Sequence, residues 1–281
     1  MAPQERSLVT PGSRTPFPRT AGLRRRGTWS ASQRSSGVAI DLGSARTRAW
    51  MPDPGLIVDE PTIISPGADC GSRPVHRGVV VDEAGAACIL ERLLGNRAGL
   101  GHYSMVVLTT PVLCAGQHQS VGRAALEVLD TRVVLTIDSV KAAALGAGAD
   151  LARPLLVLDI GAGLTEVGLL VDGGVTQAHR LDVGTSDLGA TTTVAELVRS
   201  IVAVVTDLLS HDCGGLVVDA LDRGPLLTGG GALRPEITYR LAKQLAAPVR
   251  PAPAPQTAAV RGAGLAMVAA DRHPTLTGQP L

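Results

Sequence analysis

The feature that most constrains this chain is a phrase that occurs twice: a short apolar strand ending in Asp-x-Gly. The first copy is AIDLGS at 39–44 and the second is VLDIGAG at 157–163. A tight turn after a strand needs glycine, but it does not need a carboxylate at the strand's tip. One copy is ordinary turn chemistry. Two copies at equivalent places require the chain to be read as a duplication. The surrounding pattern supports that reading. Short apolar runs at 38–40, 49–51, 56–58 and 62–64 read as a strand meander. They are followed by a helix at 82–94, a strand at 105–108, a helix at 117–128, a strand at 133–137 and an alanine-rich helix at 139–149. The order then restarts with strands at 155–159, 164–171 and 174–182 and a long helix at 187–210. A strand at 226–228, a helix at 234–246, a short strand near Val249 and a helix at 257–270 complete it. The predicted fold class is α/β: two βββαβα halves, 37–150 and 151–273, facing each other across a cleft.

Residues 1–36 are different in kind. They hold seven arginines and one acid, Glu5, without apolar periodicity, and read as a disordered basic tail. Such a segment is compatible with an organellar transit peptide or with translation from an early start codon. Residues 274–281 read as a second tail. A formal charge of +1 argues against a general polyanion partner, so no specific nucleic acid is expected. Cys70, Cys88, Cys114 and Cys213 form no CxxC pair, which favours free thiols over a disulfide or zinc framework. His102, His118, His179 and His211 have no ligand spacing with any of them. No apolar run reaches the roughly 18 residues of a membrane span.

The strand tips carry the chemistry. A hairpin turn of Gly, Ser or Thr offers backbone N–H groups to phosphate oxygens, and missing Cβ atoms allow close approach. An aspartate at the strand end can hold Mg²⁺, usually through water, while the metal bridges phosphates. Asp41, Gly43 and Ser44 would form one such turn; Asp159, Gly161 and Gly163, with Thr165, would form the other. A third segment, GPLLTGGGALRPEI at 224–237, runs a strand into Gly229, Gly230 and Gly231 before a helix. Bare glycine backbone there suits a nucleotide's base and α-phosphate. Arg46 and Arg48 follow the first turn and are expected at solvated strand positions, while Trp50 and Tyr103 are expected in the core.

The stretches IDLGSARTRAW, GLIVDEPTII, GVVVDEAGAACILERLL, TIDSVKAAALGAGAD, LDIGAGLTEVGLL, LLTGGGALRPEI and AAVRGAGLAM together resemble the bacterial actin-like rod-shape-determining proteins of the MreB/Mbl type. That family lies in the actin/Hsp70/sugar-kinase superfamily. The resemblance covers nearly all of 37–271 and implies two phosphate loops at 41–44 and 159–165 and an adenosine loop at 228–232. It implies ATP and Mg²⁺ as cofactors, the latter at Asp41 and Asp159.

The departures bear on function. The resemblance implies a small upper subdomain (IB) near 66–77 and another (IIB) between Gly189 and Pro225, and the chain is too short at both places to hold them. It implies a water-orienting glutamate where Ser139 stands; Asp138 is one residue out of register, and a serine cannot act as a carboxylate base. Ala162 and Leu164 replace a glycine and a threonine in the second loop. ATP binding is therefore expected to be weak or lost and hydrolysis inefficient. The expected role is a cytoplasmic morphogenetic protein, degenerate as an ATPase, in cell shape or cell-wall synthesis. Its expected partners are full-length actin-like filaments or cell-wall synthesis proteins, with membrane association at most peripheral, at the inner face. The alternatives are an active Mg-ATP-dependent actin-like ATPase and a short Hsp70-like accessory protein of the ethanolamine-utilisation type.

Overall fold

A computed structural model describes residues 37–64, 72–95, 103–114 and 116–272. The basic segment 1–36, the tail 274–281 and Cys70 lie outside the described residues. The first meander is β1 (Val38–Leu42), β2 (Arg46–Met51) and β3 (Gly55–Pro61). The run at 62–64 does not extend it. Pro61 is the last paired residue, and the Thr62 hydroxyl is buried 2.9 Å from that of Thr47. A two-stranded hairpin missed by the sequence reading comes next, β4 (Val75–His76) and β5 (Val79–Val80), turning at Arg77 and Gly78. Helix α1 (Glu83–Leu94) starts where Asp82 accepts a hydrogen bond from Gly85 N, the usual capping of an orphan helix N–H. Strand β6 (Met105–Thr110), helix α2 (Gly116–Ala124), strand β7 (Val133–Asp138) and helix α3 (Ser139–Gly146) finish the first half.

The second half repeats the plan with β8 (Leu155–Ile160), β9 (Thr165–Val171) and β10 (Gly174–Leu181). The long helix begins later than expected, as α4 (Val194–Leu209), because a Thr193–Glu196 capping box sets its start. Upstream, the Asp187 carbonyl accepts from Thr191 N and Thr192 N in a turn. A second helix, α5 (Gly214–Arg223), follows, in a stretch to which the sequence reading assigned no element. Strand β11 (Leu226–Thr228), helix α6 (Pro235–Leu245), strand β12 (Arg250–Pro251) and helix α7 (Ala258–Asp271) follow.

The two sheets share one topology. The first has the order β3-β2-β1-β6-β7 and the second β10-β9-β8-β11-β12. In each, the meander is antiparallel and the two later strands add in parallel. The repeated Asp-x-Gly strands, β1 and β8, are therefore the central strands of their sheets. The core of the second half is built from Leu156, Leu158, Val167, Leu197, Ile201 and Leu241, all at most 1% exposed. Parallel central strands buried on both faces read as continuous apolar runs, as observed here.

The last helix of each half joins the two. Ala263 and Met267 of α7 pack with Ala39, Met105 and Val107 of the first sheet. Val140 and Ala144 of α3 pack with Leu155, Val157 and Leu170 of the second. The helices touch at Gly146 and Gly262, where a Cβ would lie 1.9 Å from Ala258 O and 1.7 Å from Ala142 O respectively. Tyr103 is 1% exposed, its hydroxyl donating to Leu94 O, and Trp50 packs under Gly264 of α7. Among the described residues no helix is long and apolar enough to cross a membrane.

Candidate nucleotide cleft

The ends of β1 and β8 open onto one cleft of about 280 Å³ between the halves. Asp41, Gly43, Ser44, Ser139, Asp159, Gly161, Gly163, Gly229 and Gly230 all line it. Three segments far apart in sequence are thus brought together. The first turn closes through Gly43 N donating to Arg46 O, and a Cβ on Gly43 would sit 2.9 Å from that oxygen. The second turn closes through Gly161 N to Leu164 O at 2.8 Å. The turns face each other, since a Cβ on Gly163 would meet Ser44 Oγ at 3.4 Å. Gly229, at φ +77°, lies against Asp159, and a side chain there would come within 2.5 Å of its Oδ1. Gly230 has open space where a Cβ would be, so its bare backbone is free to approach a ligand.

Three residues singled out by sequence lie off the cleft. Thr165 is fully buried and its hydroxyl donates to Val183 O at 2.8 Å, so it braces β9 instead of facing phosphate. Gly231 packs against Ile160. Asp138, the last residue of β7, does not line the cleft, and burial lifts its pKa against the pull of Lys141. The expectation of a solvated position is corrected for Arg48, while the Arg46 side chain stays 42% exposed. Arg48 lines the cleft with its side chain 14% exposed, 3.7 Å from Asp41 Oδ2 and 3.2 Å from Asp59 Oδ1. Arg46 also lines it and is paired with Asp59. The β2–β3 register, which places Arg48 opposite Asp59, builds this network.

The largest omission from the sequence reading is Glu166. It is 4% exposed and lines the cleft. Its Oε2 accepts from Ser139 Oγ at 2.6 Å and its Oε1 from Val112 N at 2.6 Å. The signal was present in the sequence. Across the β8–β9 hairpin Glu166 stands opposite Asp159, and directly opposed residues share a face. Three carboxyls thus share a confined space. Burial raises the Asp41 pKa, with Arg48 and a 2.9 Å hydrogen bond from Thr109 opposing it. Burial and the nearby Asp41 charge push Asp159 up to about 6. Burial and the Asp159 charge push Glu166 up to about 8, despite the donors from Ser139 and Val112. Desolvation and like charge both disfavour ionised carboxylates, and a cation reverses that.

The donor set fits Mg²⁺ in one way only. Among the described residues no group of three or more His, Cys, Asp or Glu side chains converges on a metal position. Asp41 and Asp159 would therefore hold the ion together with water and phosphate oxygens, the usual arrangement for Mg²⁺ bound by one or two carboxylates. The mouth between the two glycine turns is partly occupied by the chain itself. From the β4–β5 turn, Gly78 N donates to Ser44 Oγ at 2.8 Å. The Arg77 guanidinium donates to Gly163 O at 2.8 Å and to both oxygens of Asp187, at 2.7 and 3.0 Å. This hairpin stitches the two glycine turns together. Arg77 holds the Asp187 carboxyl below its ordinary range.

Two sheets of one topology, each delivering an aspartate and a glycine turn to a shared cleft, define an actin-like α/β protein. Comparison with known proteins agrees. A family model described as MreB/Mbl protein matches residues 66–193 and 187–274, and the chain belongs to that family. It is 23% identical to the cell shape-determining protein Mbl of Bacillus cereus over 323 residues, covering 84% of this chain and 97% of that protein. It is 22% identical to the cell shape-determining protein MreB of Escherichia coli K12, covering 85% of this chain and 95% of that protein. Both alignments span more positions than the 281 residues of this chain, so each relative carries segments with no counterpart here. In fold it is similar to MreB 5 of Spiroplasma citri bound to AMPPNP, with a TM-score of 0.75 at 16% identity, covering 84% of this chain and 97% of that one. It is also similar in fold to the ethanolamine utilization protein EutJ of Carboxydothermus hydrogenoformans, with a TM-score of 0.52 at 18% identity.

Proposed function

We propose that this protein is a cell-shape-determining actin homologue that binds a Mg-nucleotide weakly in the cleft between its halves. The observation that carries the reading is the convergence of Asp41 and Asp159 on one glycine-walled cleft, from equivalent strands of two sheets. Two desolvated carboxylates side by side oppose folding unless a cation compensates them. The nucleotide-bound MreB 5 structures of Spiroplasma citri, with AMPPNP and with ADP, add weight to the choice of ligand. Weakness follows from Ala162 and Leu164 in the second loop and from the Gly78 contact on Ser44. The names of the relatives, cell shape-determining proteins Mbl and MreB, support a role in cell shape. The partners would be actin-like filaments, its own or full-length ones, or cell-wall synthesis proteins at the cytoplasmic face of the membrane.

The test is calorimetric titration of MgATP into the full chain, with Asp159→Ala as the control. Saturable binding that weakens at least about tenfold in the variant is expected, the loss of one charge-assisted interaction. No heat up to millimolar MgATP from folded protein would sink the reading. A second reading is favoured by the Arg77–Gly78 turn bound to both loops. In it the cleft is a relic held shut by the hairpin, and the protein works through partners alone. That reading predicts the absence of heat together with cosedimentation on full-length actin-like filaments.

A further inference from the structure

The chain puts a hydroxyl where the family resemblance implies a carboxylate, and the structure shows what that hydroxyl does. Ser139 is the first residue of α3 and is 8% exposed. Its Oγ is 2.6 Å from Glu166 Oε2 and 3.2 Å from Thr110 O. The shorter bond takes its single proton, which leaves its lone pairs as acceptors. Glu166 comes from the other half, on β9, and its second oxygen is fixed by Val112 N. A buried carboxylate held by two neutral donors keeps its orientation without being neutralised by a salt bridge. Both residues line the same cleft as Asp41 and Asp159.

We propose that Glu166, acting through Ser139, is the proton acceptor for a water that attacks the terminal phosphate of a nucleoside triphosphate in this cleft; this rests on the nucleotide reading above. The carboxylate implied at position 139 is thereby displaced across the cleft by the length of one hydroxyl. The water oxygen forms a bond to the terminal phosphorus. The bond from that phosphorus to the bridging oxygen breaks, and its electron pair leaves on the nucleoside diphosphate. One water proton passes to Ser139 Oγ as the serine's own proton moves to Glu166 Oε2, from which it returns to solvent; because burial keeps Glu166 largely protonated below about pH 8, the step runs on the ionised form that grows above that pH. The products are nucleoside diphosphate and inorganic phosphate, with no other reactant. Ser139 is the residue that touches the water, and Glu166 acts through it.

The experiment measures phosphate release from MgATP by the full chain, beside calorimetric affinity, for wild type, Glu166→Gln, Ser139→Ala and the double variant Ser139→Glu with Glu166→Gln. Glu166→Gln is expected to slow release by about 10²-fold or more while nucleotide affinity changes less than about threefold. Ser139→Ala lowers release in the same way. The double variant recovers it, because a carboxylate at 139 addresses the water directly. A purely structural role for Glu166 would lower affinity and folding together and would gain nothing from the second substitution. Release by Glu166→Gln at the wild-type rate overturns the proposal. Wild-type binding without any release overturns it while leaving the nucleotide reading intact. An absence of binding overturns both.

Discussion

Replacing Gly262 with alanine tests how the two halves are joined. Helix propensity alone predicts a gain of about 1 kcal/mol for this change inside a helix. The structure predicts the opposite sign. The new Cβ would lie 1.7 Å from Ala142 O and 2.7 Å from Gly146 N, roughly 2 Å and 1 Å short of an ordinary contact. Both groups are main chain of another helix, so no side chain can swing away. Relief requires α3 and α7 to separate, uncovering the Ala142, Ala263 and Met267 cluster beneath the crossing. Forced overpacking of this kind costs typically 1–3 kcal/mol, and a main-chain clash belongs at the upper end. With the propensity gain subtracted, the net loss is about 2 kcal/mol. Urea unfolding of the full chain followed by circular dichroism reads it as a lowered midpoint. Gly215→Ala is the control, because its Cβ would meet nothing within 4 Å inside α5. The control should hold the midpoint or raise it, by the equivalent of up to about 1 kcal/mol of stability. If Gly262→Ala is as stable as wild type, the close helix crossing is wrong.

Two further outcomes follow from the cleft. The folded pKa of Glu166, about 8, and that of Asp159, about 6, lie above their ordinary values of 4.5 and 3.8. Between those limits the folded protein holds protons that the unfolded chain has released. The stability of the nucleotide-free protein therefore falls as pH rises from about 5 to 8. Glu166→Gln should flatten the upper part of that fall in urea midpoints measured across the range, and a wild-type stability that rises there would contradict the assignment. Arg77→Ala removes the fork on Asp187 and the bond to Gly163 O. A partly exposed bidentate pair is worth about 1 kcal/mol. The Gly184 amide, which donates to Asp187 Oδ2, should exchange faster with deuterium; unchanged exchange would mean the hairpin does not brace the second loop.

The duplication was legible because it rests on signals longer than any single turn. The strands β1 and β8 carry apolar runs, the Asp-x-Gly phrase marks their ends, and the helices that follow show their periodicity. The misses occur where the signal is shorter or has two readings. The hairpin at Val75–Val80 pairs two residues with two, too few for an alternating pattern. Gly214 and Gly215 read as a breaker, yet Val217 and Ala220 bury one face of α5. At the start of α4, Asp187 and Thr193 are both acceptable caps. The fold spends Asp187 on Arg77 and Gly184 and leaves the cap to Thr193. That choice is tertiary and has no local trace.

The site shows a related asymmetry between position and place. Read along the chain, Ser139 is a loss, since a carboxylate is implied there and the neighbouring Asp138 is one residue out of register and off the cleft. Read in space, the carboxylate is 2.6 Å away on a strand from the other half. The hairpin register alone puts Glu166 on the face of Asp159. What register cannot supply is the packing of α3 against β9, where Gly168 leaves room for Val140: a Cβ on that glycine would come within 2.9 Å of Val140 Cγ2. That close approach brings the first turn of α3 down onto Glu166. Gly168→Ala would therefore push α3 away from β9 and lengthen the Ser139–Glu166 bond without touching either residue. A change remote from the cleft's lining would then weaken whatever chemistry the pair performs.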